Sequence, residues 1–472
     1  MADIDEARNY AGASPDAGGP FVLPTPHPDN QKLAAGWLWL SFAALVGAGL
    51  FALFVVLART PYVSDLFPTV DFFRSALVVH VDLSVLVWFF AFAGVLWSAA
   101  SPPKLMPLGW IALLLAVAGI LVVMLSPFVG AGGPIMNNYI PVLENKMFLT
   151  GLFLFGCSVG LLALRGLLTV PLTGFGPGRE GGVLCFGLAT AAFATVMALV
   201  AFAWAFATIP FFVKGLPYFE ALFWGGGHVM QFSYTLLMMV GWLWLAAEYG
   251  ARITMTPRIA LAMFALGVAP VLLTPLIYSS YETNTSANME MFITMMKAGG
   301  GLAVVPVGLA VMVAMWKHGY PDPEMGPLFG HLISSLILFA VGGGISFLIK
   351  DSNTIITAHY HGTGGGVSLS FMGMSLVLLH KLGYKVVNFK LALWMPYVYC
   401  VGQLMHIIGL LWSGGYGVQR KVAGADQGLQ SFSQIAGMGL MGVGGLIAVV
   451  GGIMFLVVIY RALKERGTGG TR

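Results

Sequence analysis

Apolar residues recur along this chain in long runs that charge seldom interrupts. Twelve such runs lie near 34–58, 76–99, 106–127, 146–166, 183–209, 219–247, 258–280, 288–316, 329–349, 354–380, 390–413 and 434–461. A hydrocarbon core of about 30 Å takes roughly 20 apolar residues as a helix. Transmembrane strands would be shorter and would alternate in polarity. The pattern therefore predicts an all-α integral membrane protein, a bundle of twelve transmembrane helices. The first 33 residues are polar and rich in Pro, Asp, Gly and Ala. They lack a basic stretch followed by a short apolar core, so no cleaved signal peptide is predicted. The chain thus divides into a polar N-terminal segment 1–33, a membrane domain 34–461 and a short basic tail 462–472. Within the membrane domain no domain boundary, fixed-period repeat or long linker is visible.

Composition agrees. Of 472 residues, 58 % are apolar and only 9 % are Asp, Glu, Lys or Arg, against roughly 25 % charged in a soluble domain. The net charge of +4 is scattered without a basic block, so nucleic acid is not an expected partner, whereas membrane lipid is. With the N-terminus in the cytoplasm, Arg59, Arg74, Lys146, Lys214, Lys350, Arg420 and Lys421 fall on the outer side. The other Lys and Arg, apart from Lys297 within a span, fall on the inner side. That bias predicts cytoplasmic N- and C-termini. The three cysteines, Cys157, Cys185 and Cys400, form no CxxC or CxxCH pattern. Neither a disulfide nor a covalently attached haem is suggested. Glycine triplets at 225–227, 299–301, 342–344 and 364–366 suit close helix packing or room beside a flat cofactor.

Histidine placement points to chemistry. Of nine histidines, His27, His318, His331 and His380 lie near loops or helix ends and read as structural or solvated. His80, His228, His359, His361 and His406 lie inside apolar runs, where an ionisable side chain is a functional candidate. A single one of them is as readily a hydrogen-bonded packing residue. On the predicted topology, however, His80, His228, His359 and His361 all fall in the outer half of the membrane. His359 and His361 are two residues apart, so on a helix they point about 200° apart. They cannot readily bind one metal together but could each ligate a different planar cofactor. His80 with one of the pair would make a bis-histidine haem site, and the other would carry a second haem.

These residues resemble subunit I of the haem–copper oxidase superfamily, which includes cytochrome c oxidases and nitric oxide reductases. Four stretches carry the resemblance: His80-Val-Asp-Leu-Ser-Val-Leu-Val-Trp88, Trp224-Gly-Gly-Gly-His228, His359-Tyr-His361 and Gly417-Val-Gln-Arg-Lys421. It spans nearly the whole chain. It implies that His80 and His361 are axial ligands of a low-spin haem and that His359 is the proximal ligand of a high-spin haem. It further implies that His228 binds a second metal and that Arg420 and Lys421 meet the haem propionates. For the basic pair the alternative is a solvated loop.

Two departures from the family pattern stand out. The family's seventh helix usually gives a His-His pair to the second metal, but Thr274 to Asn288 contains no histidine. The pair would fall near Tyr281 and Glu282. Oxygen ligands suit iron better than copper, which resembles nitric oxide reductases. Glu282 then reads as a ligand or a proton donor, or else as a charge at an outer helix end. Many oxidases also carry a Tyr four residues after the His228 position, where this chain has Phe232. Tyr278 or Tyr281 would have to substitute. Lys297 within the eighth span, Glu290, Asp82 and Glu220 are proton-relay candidates, with a Lys297–Glu290 pair or lipid snorkelling as the alternative.

The function implied is that of a respiratory terminal reductase in a bacterial-type cytoplasmic membrane. Two haems, expected to be b-type, and one non-haem metal, Fe or Cu, would pass electrons to NO or O2, with a lean toward NO. A second subunit carrying copper or haem c would deliver electrons from cytochrome c, a cupredoxin or a quinol. The competing expectation is a haem b subunit that relays electrons without reducing a gas. A third, a haem-free transporter, sits poorly with the His359-x-His361 pair.

Overall fold

The computed structural model describes residues 19–63, 70–128, 132–172, 181–384 and 388–464. Residues 1–18 of the polar segment and 465–472 of the basic tail lie outside the described residues. Among the described residues, twelve helices are long and apolar enough to cross a membrane. They are α1 (Pro28–Arg59), α2 (Phe73–Ala100), α3 (Met106–Leu125), α4 (Lys146–Thr169), α5 (Gly182–Thr208) and α6 (Gly215–Glu248). They continue with α7 (Pro257–Ser280), α8 (Ser286–His318), α9 (Pro323–Leu348), α10 (Thr354–Lys381), α11 (Phe389–Gly415) and α12 (Phe432–Lys464). The chain is a multi-pass, all-α membrane protein, and each helix matches one apolar run of the sequence.

Helix starts follow local chemistry. The side chains of Asn145, Thr256, Thr285, Asn353 and Asn388 each accept a hydrogen bond from a backbone N–H in the first turn of α4, α7, α8, α10 and α11. Such caps satisfy amides that have no partner inside the helix. Three helices are irregular. In α2 the segment Asp82–Val87 is a π-helix, a distortion that occurs mostly at functional sites. In α7, Pro270 and Pro275 remove two N–H donors, and Ala269–Leu273 tightens to a 3-10 turn. In α8, residues 300–303 separate two helical stretches, Ser286–Gly299 and Val304–His318, because the consecutive glycines 299–301 are poor helix formers.

Between α3 and α4 a small antiparallel hairpin, β1 (Pro134–Ile135) and β2 (Val142–Leu143), pairs Pro134 with Leu143. Apolar periodicity cannot reveal two strands of two residues each.

The chain forms two compact units. One contains 42–85 and 321–472, and so the C-terminal part of α1, the start of α2 and α9 to α12. In it α11 packs along α12, α9 along α10, and α10 against α11. The other contains 13–41 and 86–320, with α3 to α8, where α3 packs on α4 and α5 on α6. Both units draw on α1 and α2, which is why no linker marks the division in sequence. In each unit one helix is buried along most of its length, α10 in the first and α6 in the second. Those two carry His359, His361 and His228.

Candidate functional site

In the first unit, three histidines share one arrangement. His80 Nδ1 lies 3.0 Å from the Ala48 carbonyl on α1. His359 Nδ1 lies 2.8 Å from the Gly342 carbonyl on α9. His406 Nδ1 lies 2.9 Å from the Met441 carbonyl on α12. A carbonyl only accepts, so each Nδ1 carries the proton and each Nε2 presents a lone pair. That tautomer is the one an axial haem ligand needs, with its orientation fixed from behind. Backbone proximity makes the His359 contact possible. A Cβ on Gly362 would strike the Gly342 backbone, so only paired glycines let α10 approach α9 this closely.

His361 leaves α10 in another direction from His359. Its ring centroid is 4.6 Å from that of His406 on α11, and it lies within electrostatic reach of His406, His80 and Arg59. The two histidines of the pair thus have different neighbours: the α9 carbonyl of Gly342 for His359 and the α11 ring of His406 for His361.

The end of this unit at the start of α10 is basic and tied down. The segment after α11 is pinned to the start of α10, where the Thr354 amide donates to the Val418 carbonyl at 3.1 Å and Asn353 bridges to Gln419. Arg59 Nη2 donates to the Gln419 carbonyl at 3.2 Å, and Gln427 Nε2 donates to the Arg59 carbonyl at 3.4 Å. Ala423 packs with Ala58 and Phe73. Arg420 Nε donates to Ser352 Oγ at 3.1 Å, beside the His-bearing helix, and Lys421 takes a left-handed backbone with φ 63°. Arg59 is only 7 % exposed, and its Nε has no partner among the described residues. The sequence had treated it as an outer-side charge. Its signal was its position as the last residue of an apolar run.

Asp82 follows His80 by two residues and is 2 % exposed, with neither carboxyl oxygen bonded among the described residues. Thr357 Oγ1, Gln403 Oε1 and Gln427 Oε1 in the same unit are likewise buried without partners. Orphaned polar atoms beside imidazoles with open Nε2 lone pairs are the surroundings a polar-edged prosthetic group would complete. The residues of this unit therefore fit haem.

In the second unit, His228 on α6 is 5 % exposed. Its Nδ1 is 2.8 Å from the Trp224 carbonyl, so Nδ1 donates. Its Nε2 is 2.9 Å from the Tyr139 hydroxyl, which must then be the donor. Sequence reading missed Tyr139, because the β1–β2 loop delivers it from 89 residues away. Asn137 Oδ1 accepts from the Tyr139 and Ile140 amides at 3.2 and 3.0 Å. The Asn138 amide donates to the Glu220 carboxylate at 3.0 Å, and the Asn138 side chain does so too. Glu220 is thus an anchor for this loop. Gly227 must lack a side chain, since a Cβ there would strike the Tyr139 ring.

The residues expected around His228 are elsewhere. Tyr281 and Glu282 are exposed, and the rings beside His228 belong to Tyr139, Trp224 and Phe292. Tyr278 is buried, stacked on Trp204 at 5.7 Å, and its hydroxyl has no partner among the described residues. Phe232 is buried as well. Lys297 and Glu290 are both exposed on α8, the placement expected of a snorkelling residue. Among the described residues, no three His, Cys, Asp or Glu side chains could share a metal ion. With both His228 nitrogens engaged, the donor set does not fit a second metal here.

No protein-family model matches the chain. It is 29 % identical over 495 residues to an uncharacterised protein of Rickettsia prowazekii (strain Madrid E), covering 91 % of this chain and 95 % of that one. It is 28 % identical over 350 residues to an uncharacterised protein of Aquifex aeolicus (strain VF5), covering 74 % and 85 %. Among solved structures, it superposes on a chain of a haem–copper terminal oxidase dimer with a TM-score of 0.72. That likeness is at 19 % identity and covers 94 % of this chain and 85 % of the other. The twelve-helix architecture is therefore the fold found in a haem–copper terminal oxidase.

Proposed function

We propose that the chain is the haem-bearing catalytic subunit of a membrane oxidoreductase that reduces a small diatomic gas, NO or O2. One observation carries this proposal: two imidazoles of one unit, His80 on α2 and His359 on α10, each have Nδ1 held by a carbonyl and Nε2 left to bind.

His80 and His361 would hold a low-spin haem, and His359 would hold a high-spin haem. When bound, the two haems supply one-electron transfer and a gas-binding iron. The protein does the rest. Carbonyl acceptors behind His80 and His359 orient the rings and raise their basicity. Arg420, Lys421 and the buried Arg59 neutralise propionates, for which a guanidinium's forked donors are well shaped. Tyr139 holds a proton on its oxygen against His228 Nε2. The apolar helices exclude bulk water. Termini lie in the cytoplasm of a bacterial-type inner membrane. A second subunit with copper or haem c brings electrons to the outer side, where the basic residues gather.

A second function has its own support. His228 is closed by two hydrogen bonds, and Glu282 and Tyr281 are exposed. An electron-relay subunit with haem b and no gas chemistry suits that arrangement. Single-turnover mixing of the reduced, purified protein with NO, and separately with O2, separates the two. Rapid haem oxidation with loss of the gas supports the reductase. Oxidation no faster than that of a six-coordinate haem supports the relay.

A further inference from the structure

His80, His359 and His406 each have a protein carbonyl on Nδ1, but His361 does not. Its side chain has no hydrogen-bond partner among the described residues, although it is one of the two imidazoles assigned to the low-spin haem. An imidazole that binds iron through Nε2 keeps its proton on Nδ1, and inside a membrane span that N–H needs an acceptor. One turn along α10 in either direction stand Gly365, which offers no side chain, and Thr357, whose buried Oγ1 has no partner among the described residues.

The nearest candidate is the His406 ring, with centroids 4.6 Å apart and planes tilted by 59°. Its tautomer is fixed. Nδ1 donates to the Met441 carbonyl at 2.9 Å, so Nε2 is an acceptor with no proton of its own. The contact is built into the α11–α12 packing. A Cβ on Gly444 would strike the His406 backbone amide, and one on Gly445 would sit 3.1 Å from His406 Nδ1. Glycine at both places lets α12 bring a carbonyl to the imidazole.

The two rings touch without a hydrogen bond in this structure; we propose that with haem bound to His361, His406 is a positioning residue for the low-spin haem: its Nε2 then accepts the Nδ1–H of His361, in a chain running through His406 to the Met441 carbonyl. The proposal rests on the haem-bearing function above. An acceptor on Nδ1–H makes His361 a stronger donor to iron and favours the ferric state. Removing it should favour the ferrous state.

The test is a redox titration and an EPR spectrum of the low-spin haem in the purified, haem-loaded protein and its variants. His406→Leu should shift the ferric/ferrous equilibrium toward ferrous by up to tenfold, about 59 mV for one electron, and change the low-spin g values. His406→Gln, which offers an amide oxygen of similar reach, should restore most of the shift. Asn, one methylene shorter, should not. If His406→Leu does not assemble, the Gln and Asn variants give the same comparison. Unchanged potential and g values in the Leu variant, or in both Gln and Asn variants, would overturn the proposal. So would retention of the bis-histidine signal in His361→Leu with its loss in His406→Leu, which would make His406 the ligand itself. No bis-histidine signal in the unaltered protein would instead overturn the haem-bearing function.

Discussion

At the scale of single residues, the ligand assignments make separable predictions. His359→Leu should abolish carbon monoxide binding while leaving a low-spin spectrum. His80→Leu should remove the low-spin spectrum while the carbon monoxide band persists. Optical difference spectra of each purified variant check both. Loss of both signals in either variant would mean that the two haems are not held separately. Tyr139→Phe removes the donor to His228 Nε2, leaving a buried ring nitrogen unpaired. That should cost about 1–3 kcal/mol of stability, read as a lower Tm in detergent, and an unchanged Tm would show that the hydroxyl is not holding the ring. The histidines themselves were legible in sequence because an ionisable side chain in an apolar run stands out. Tyr139 was not, since it lies in a loop and reaches α6 only through a hairpin and the Asn138–Glu220 contact. Arg59 was counted as a loop charge because one residue at a span's end can turn outward or inward, and hydropathy does not say which.

At the scale of elements, the α9–α10 contact and the α10 cap carry the site. Gly342 and Gly362 bring two backbones together so that a carbonyl of α9 meets His359. Gly362→Val should push them apart. Overpacking of this kind costs about 1–3 kcal/mol, and the carbon monoxide band should weaken more than the low-spin spectrum. An equal loss of both would place the damage in the whole unit. The twelve helices were readable from the length of the apolar runs, since about 20 residues at 1.5 Å each must span the hydrocarbon. Their irregularities were less so. Pro270 and Pro275 announce the break in α7, but nothing in the local sequence marks Asp82–Val87 as a π-helix. The triplet 299–301 read as packing or cofactor room, and it proves to divide α8.

At the scale of the whole molecule, the bias of Lys and Arg predicts both termini in the cytoplasm. A fluorescent protein fused after Arg472 should mature, and alkaline phosphatase fused there should stay inactive; the reverse would invert the topology and put Arg420 and Lys421 on the wrong side for an outer electron donor. Twelve apolar runs, the histidine spacing and the basic pair were enough to suggest the haem–copper oxidase architecture, and the superposition at TM-score 0.72 agrees with that fold. The donor set around His228 was harder to read. Tyr281 and Glu282 occupy the expected stretch of chain, yet whether a side chain there faces inward depends on how α7 ends. It ends at Ser280, leaving both residues exposed.

A carbon monoxide difference spectrum of the dithionite-reduced, purified protein is the most direct test of whether this chain holds a gas-binding haem. Carbon monoxide needs an open ferrous position, and a haem carried by His359 alone has one. A clear band, lost in His359→Leu, is expected. Haem that reduces but binds no carbon monoxide would contradict gas reduction and leave electron relay as the function.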